Sequence, residues 1–298
     1  MPDFAHSQNR VIVFIRTVVE IFLTADVPGK AQAIAYNILF SIAPLLIFLT
    51  AFCSLVIQRF NAEIANPVEP VLDWLDQHLP PEAAEFLKVP VETALTTPPE
   101  FLLSFGGLLT LWAAKNAIGA TIKGLNATYG ITESRSYFKV MGTAILMTVG
   151  LAVSALIAAL LQVLSTNVGQ DIADWFGLGT QWEQFVAWAQ WPVTALLAVG
   201  VTVMIHRVGP DFHAPIRWLM PGAAFTIIAF VIATWALQFY FSHFPGYSAA
   251  YGIFGAVLAF IFWMFVVSLI VLVGGVLNAT LFRIFPPACH ALERYNSH

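Results

Sequence analysis

Long apolar runs separated by short polar breaks dominate the chain. Uncharged stretches fall at 31–57, 140–164, 185–205, 218–241 and 253–282. Each holds the roughly twenty residues a helix needs to cross a bilayer. A sixth run, 101–122, opens the same way but takes up Lys115 and Asn116 after about fourteen residues, too early to complete a crossing. Lys123 and Asn126 follow on the same helical run. Lys115, Gly119 and Lys123 stand at i, i+4 and i+8, so they share one stripe, and Trp112 lies on the same side. Residues 10–25 are apolar with a narrow polar stripe (Arg10, Thr17, Glu20, Thr24) and too short to span. They read as a helix lying in the membrane interface. Asp26-Val-Pro-Gly breaks it.

Residues 58–100 are the one long polar segment, with eight acidic residues against Arg59 and Lys88, punctuated by Pro67, Pro70, Pro80, Pro81 and Pro90 among its prolines. Short amphipathic helices forming an outer cap fit this pattern. No tight ligand spacing appears among its carboxylates, so a solvated face accounts for them better than a metal site. Pro44 falls in the middle of the first span, removes a backbone hydrogen bond and predicts a hinge. Tyr36, Asn37 and Ser41 precede it; they either satisfy the freed backbone or line a cavity. Gly274, Gly275 and Asn278, near the end of the last span, read as a close helix contact.

Composition agrees. The 298 residues are 59% hydrophobic and only 10% charged, where soluble domains carry about 25% charge. The expected fold is an all-α integral membrane protein. It is one membrane domain over 1–298, with six transmembrane helices, the interfacial helix and the helical cap. With the N-terminus cytoplasmic, eleven of the thirteen Lys and Arg residues fall on inner segments and only Arg59 and Lys88 outside. That asymmetry predicts six spans with both termini inside. Nothing at the N-terminus reads as a cleaved signal peptide. Cys53 and Cys289 form no disulfide framework.

The chemistry-bearing motifs are few. There is no P-loop, HExxH, CxxC or GxSxG, and no span carries an acidic residue. A hydrolase needs an activated nucleophile or a liganded metal, so an enzyme, a cofactor, a metal site and a nucleic-acid partner are not expected. A cationic stripe entering the membrane has two readings. Lys115 and Lys123 snorkel to the inner interface, or they bind the head group of an anionic lipid, as basic pockets between helices do. Under the second reading the site comprises Trp112, Lys115, Asn116, Lys123, Asn126, Arg135 and Lys139, with Tyr36, Asn37 and Ser41 nearby and Pro44 as hinge. Two other classes compete. One is a structural protein that docks an envelope partner, or a second copy, through its acidic cap. The other is a small-solute transporter, disfavoured by the apolar later spans.

The run AQAIAYNILFSIAPLLIFL (31–49) resembles the first span of the YihY/BrkB family of bacterial inner-membrane proteins. LWAAKNAIGATIKGLNATYG (111–130) is similar to its second signature, with Leu125, Asn126 and Tyr129 at the most typical positions. Tyr247-Ser-Ala-Ala-Tyr-Gly and the Gly-Gly-Val-Leu-Asn-Ala run at 274–279 are similar to its C-terminal signature. The resemblance implies a six-span, multi-pass protein of the bacterial inner membrane. Members once carried the label ribonuclease BN, and some have been tied to serum resistance and to lipid or lipopolysaccharide export. The chain departs from the family pattern at Asn116, where a basic residue is frequent, and in a less arginine-rich loop at 206–217.

Overall fold

The structure is a computed structural model that describes residues 10–41, 44, 99–164, 179–212, 215–243 and 246–285. The cap at 58–98, both cysteines, His213 and the residues flanking Pro44 lie outside the described residues. Among the described residues all regular structure is helical: α1 (Arg10–Thr24), α2 (27–41), α3 (Pro99–Tyr129), α4 (Tyr137–Leu164), α5 (Gly179–Val208), α6 (Ile216–His243) and α7 (Gly246–Ile284). Among the described residues, four helices contain stretches long and apolar enough to cross a membrane: Tyr137–Ala158, Trp188–Val208, Ile216–Tyr240 and Leu258–Ile284. The outward side chains along them are large and apolar, Leu156, Leu196, Ile228 and Val231 among them. α3 is not one of the four. It is nonetheless one continuous helix of 31 residues, because Lys115, Asn116 and Lys123 interrupt its apolarity without disturbing its backbone.

Helix ends follow local chemistry. α3 ends where Gly130 takes the left-handed conformation, φ 69°. Ile131 N–H then donates to the Asn126 carbonyl (2.9 Å) and Gly130 N–H to Ala127 (3.1 Å). These two hydrogen bonds satisfy carbonyls that a helix end otherwise leaves bare. α1 gives way to α2 at Asp26, also left-handed at φ 48°. Its side chain accepts from Gly29 N–H at 3.3 Å and caps the new helix.

The chain divides into two compact units, residues 1–30, 121–232 and 269–298 in one, and 31–120 and 233–268 in the other. In the first, α4 packs on α5, and Ile122, Leu125, Met147, Leu219, Leu272 and Val276 are fully buried. α6 and α7 approach at backbone distance. A Cβ on Gly222 would strike the Gly274 carbonyl oxygen and the Asn278 amide; one on Gly274 would strike the Thr226 hydroxyl. Pro221 lies inside α6, past its first turn, because the helix begins at Ile216. Asn278 spans that defect. Its oxygen accepts from Gly222 N–H (2.8 Å) and its amide donates to the Leu219 carbonyl (3.3 Å). His206 ties α5 to α7, its ring nitrogens lying 2.8 Å from the Thr202 carbonyl and 3.1 Å from that of Val271.

Gly222→Ala should therefore destabilise the protein by about 2 kcal/mol, since the obstructing atoms belong to backbone and a committed amide. Gly142, with nothing within 4 Å of its Cβ position, provides the contrast: Gly142→Ala should be neutral or gain a few tenths of a kcal/mol. Equilibrium unfolding of the two variants in mixed micelles measures both, and equal effects would refute the close contact.

Candidate functional site

Two short connections meet at one end of the first unit. Residues 130–136 link α3 to α4, and 209–215 link α5 to α6. Asn126, in the last turn of α3, is buried and spent on both. Its amide donates to Glu133 Oε2 (2.9 Å), and its oxygen accepts from Asp211 N–H (2.8 Å). Arg135 forms a fork on Glu133, Nε to Oε1 at 2.7 Å and Nη2 to Oε2 at 2.8 Å. It continues to the carbonyls of Val208 (Nη1, 3.3 Å) and Gly209 (Nη2, 2.8 Å). Asp211 stands 3.6 Å from the same guanidinium and accepts from Ser134 through both its backbone N–H (2.9 Å) and its hydroxyl. Charge-assisted, bidentate bonds of this kind are the strong ones. The Arg135 guanidinium, aided by the Asn126 amide, holds the Glu133 carboxyl below the usual carboxylate range, with partial burial opposing it. Glu133 in turn raises Arg135 further. Beside this latch, Tyr129, Phe212, Phe282 and Trp218 form a chain of ring contacts at 5.2–5.6 Å.

The latch brings together two of the residues singled out from sequence, Asn126 and Arg135, and uses them to join loops. Lys123, almost two turns before the end of α3, is exposed, as is Lys139 in the first turn of α4. Arg207 at the end of α5 and Arg217 at the start of α6 are exposed too. Among the described residues none of these four makes an ion pair. Trp112 (exposed) and Lys115 and Asn116 (half-buried) belong to the part of α3 in the second unit. So do Tyr36, Asn37 and Ser41 on α2. There Asn37 donates to the Ala33 carbonyl (2.7 Å), Ser41 to that of Ile38 (2.6 Å), and Tyr36 packs on Phe40. Asn37 and Ser41 thus satisfy the helix's own backbone. Pro44 is helical.

Sequence reasoning missed Glu133, Ser134, Asp211 and His206 as members of any site. From sequence Glu133 takes no role and Arg135, two residues on, is assigned to a lipid site; only the 77 residues closed between Ser134 and Asp211 reveal the latch.

Membrane-length helices joined by tight, polar-latched turns define an integral membrane protein. The chain belongs to the family described as Virulence factor BrkB, whose model matches residues 18–288. It is 29% identical over 255 residues to the ribonuclease-like protein YfkH of Bacillus subtilis, covering 86% of this chain and 90% of that one. It is 23% identical over 281 residues to a UPF0761 membrane protein of Pseudomonas aeruginosa, covering 92% of this chain but 64% of the relative. A UPF0761 membrane protein of Xanthomonas axonopodis is 24% identical over 289 residues, with 94% and 64% covered. The chain thus spans less than two thirds of these UPF0761 relatives. No solved structure matches.

A carboxylate held below its ordinary range contributes stability above that range and loses it as pH falls through the folded value. Acidification below pH about 4.5 should therefore weaken the wild type. Glu133→Gln should start about 1 kcal/mol less stable, a figure that allows for partial solvent screening, and lose less on acidification. Thermal unfolding in detergent across the acid range checks it; parallel pH profiles would remove Glu133 from the latch.

Proposed function

We propose that this chain binds anionic lipid, phospholipid or lipopolysaccharide-related, at a basic site on its cytoplasmic side, and moves it. The observation that carries the reading is the set of four exposed cations, Lys123, Lys139, Arg207 and Arg217, on the helix ends flanking the latched loops. The latch consumes Glu133 and Asp211 on Arg135, so these neighbouring carboxylates do not neutralise the four. Basic groups of this kind at the membrane surface attract anionic head groups by about 1 kcal/mol each. In this reading the protein sits in the bacterial inner membrane with this end and both termini in the cytoplasm, an orientation the positive-inside asymmetry supports. In this reading Asn126 and Arg135 act as scaffold. Lys115, with Asn116 and Trp112, forms a deeper station on the same helix. A ribonuclease-like activity, the wording attached to YfkH, has no support in the residues of this chain.

Native mass spectrometry of the purified protein with phosphatidylglycerol and phosphatidylcholine tests the reading. Replacing Lys123, Lys139 and Arg217 together by Gln should lower phosphatidylglycerol retention by tenfold or more, about 1.4 kcal/mol, and leave phosphatidylcholine unchanged. Lys115→Gln should lower it independently. Wild-type retention by both variants would sink the proposal.

A further inference from the structure

The N-terminal helix carries a face that the rest of the described chain leaves uncovered. On α1, Ile21 is buried and Phe14 and Val18 half-buried. On the other side Val11, Ile12, Ile15, Val19 and Leu23 are each at least 50% exposed. At about 100° per residue these five occupy a continuous arc of about 120°, roughly opposite Ile21. Five adjacent aliphatic side chains facing outward require an apolar partner.

The helix's attachment identifies that partner. Glu20 lies 3.8 Å from Arg283, and Arg283 is one residue from the end of the membrane-length stretch Leu258–Ile284. The contact holds α1 level with the point where α7 leaves the apolar phase. It also uses the one acidic residue of α1, leaving exposed Arg10 and Arg16 on a helix of otherwise neutral residues. An apolar arc with Arg16 at its margin, held at the depth of a span's end, is complementary to the surface of an anionic leaflet. A second copy of the chain fits less well, because two-fold pairing through this arc would set like charges near each other.

We propose that Val11, Ile12, Ile15, Val19 and Leu23 insert into the leaflet at the Ile284 end of α7, with Arg16 on its anionic head groups. This docking is independent of lipid binding by the basic residues at the helix ends.

The test uses the full chain in vesicles of phosphatidylethanolamine and phosphatidylglycerol, with Cys53 and Cys289 replaced by Ser. Single spin labels go at Val11, Ile15, Val19 and Leu23, and at Arg10 and Thr24 off the arc. Power-saturation electron paramagnetic resonance compares collisions with oxygen, which partitions into lipid, and with a water-soluble nickel chelate. The four arc positions should favour oxygen and share one depth, about 5–10 Å below the head groups; Arg10 and Thr24 should favour nickel. Nickel-accessible arc positions would overturn the proposal. So would dipolar broadening at the arc that vanishes on dilution with unlabelled protein, which would assign the face to a second copy. The four labels are read independently, so misfolding of one variant leaves the others to decide.

Discussion

Arg135 is the point at which the described end of the molecule is held together. One guanidinium reaches a carboxylate in its own loop, Glu133, and two carbonyls, Val208 and Gly209, at the end of α5. Asn126 closes the same circuit from α3 through Glu133 and the Asp211 N–H. Both connections are short, and hydrogen bonds, with the packing of Phe212 against Tyr129 and Phe282, fix their conformation. A guanidinium suits the task because its planar fork serves several acceptors at once, which an ammonium does not. Lys123, Lys139, Arg207 and Arg217 inherit their placement from helix ends that this circuit ties together.

The helices were legible because a membrane helix satisfies its backbone internally and shows its length as an apolar run. That rule overlooks how such runs end. The apolar stretch of α3 gives out near residue 122, yet the helix continues to Tyr129, since Lys123 and Asn126 are acceptable helix residues. Gly130, the residue able to take the left-handed turn without strain, stops it. The glycine pair at 274–275 was legible as a contact, but its partner was not: Gly222 meets Gly274 from a helix 52 positions away.

The latch was illegible for a similar reason. Asn126 and Asp211 are 85 residues apart, and nothing local to either marks it as a partner. Asn126 was singled out, but as a polar residue on the helical run of Lys123 and not for the loops it joins. His206 was read as part of a loop; the structure buries it in α5. A buried imidazole needs partners for its ring nitrogens, and a sequence does not show that the Val271 carbonyl stands 3.1 Å away on α7.

The length of α3 bears on which lysines can merely snorkel. A Cβ at Gly130 would lie 3.7 Å from the Arg283 guanidinium, so the end of α3 is level with the end of the apolar stretch of α7. From that level Lys123 is about 10 Å up the helix and Lys115 about 22 Å, at 1.5 Å per residue. A lysine stem turned back along the helix covers most of the first distance and a fraction of the second. Snorkelling to this end therefore accounts for Lys123 and fails for Lys115. A cation held that deep requires a polar environment, because leaving it in hydrocarbon costs about 3 kcal/mol. The two lysines of one stripe thus differ: Lys123 lies within a side chain's reach of the helix end, and Lys115 does not.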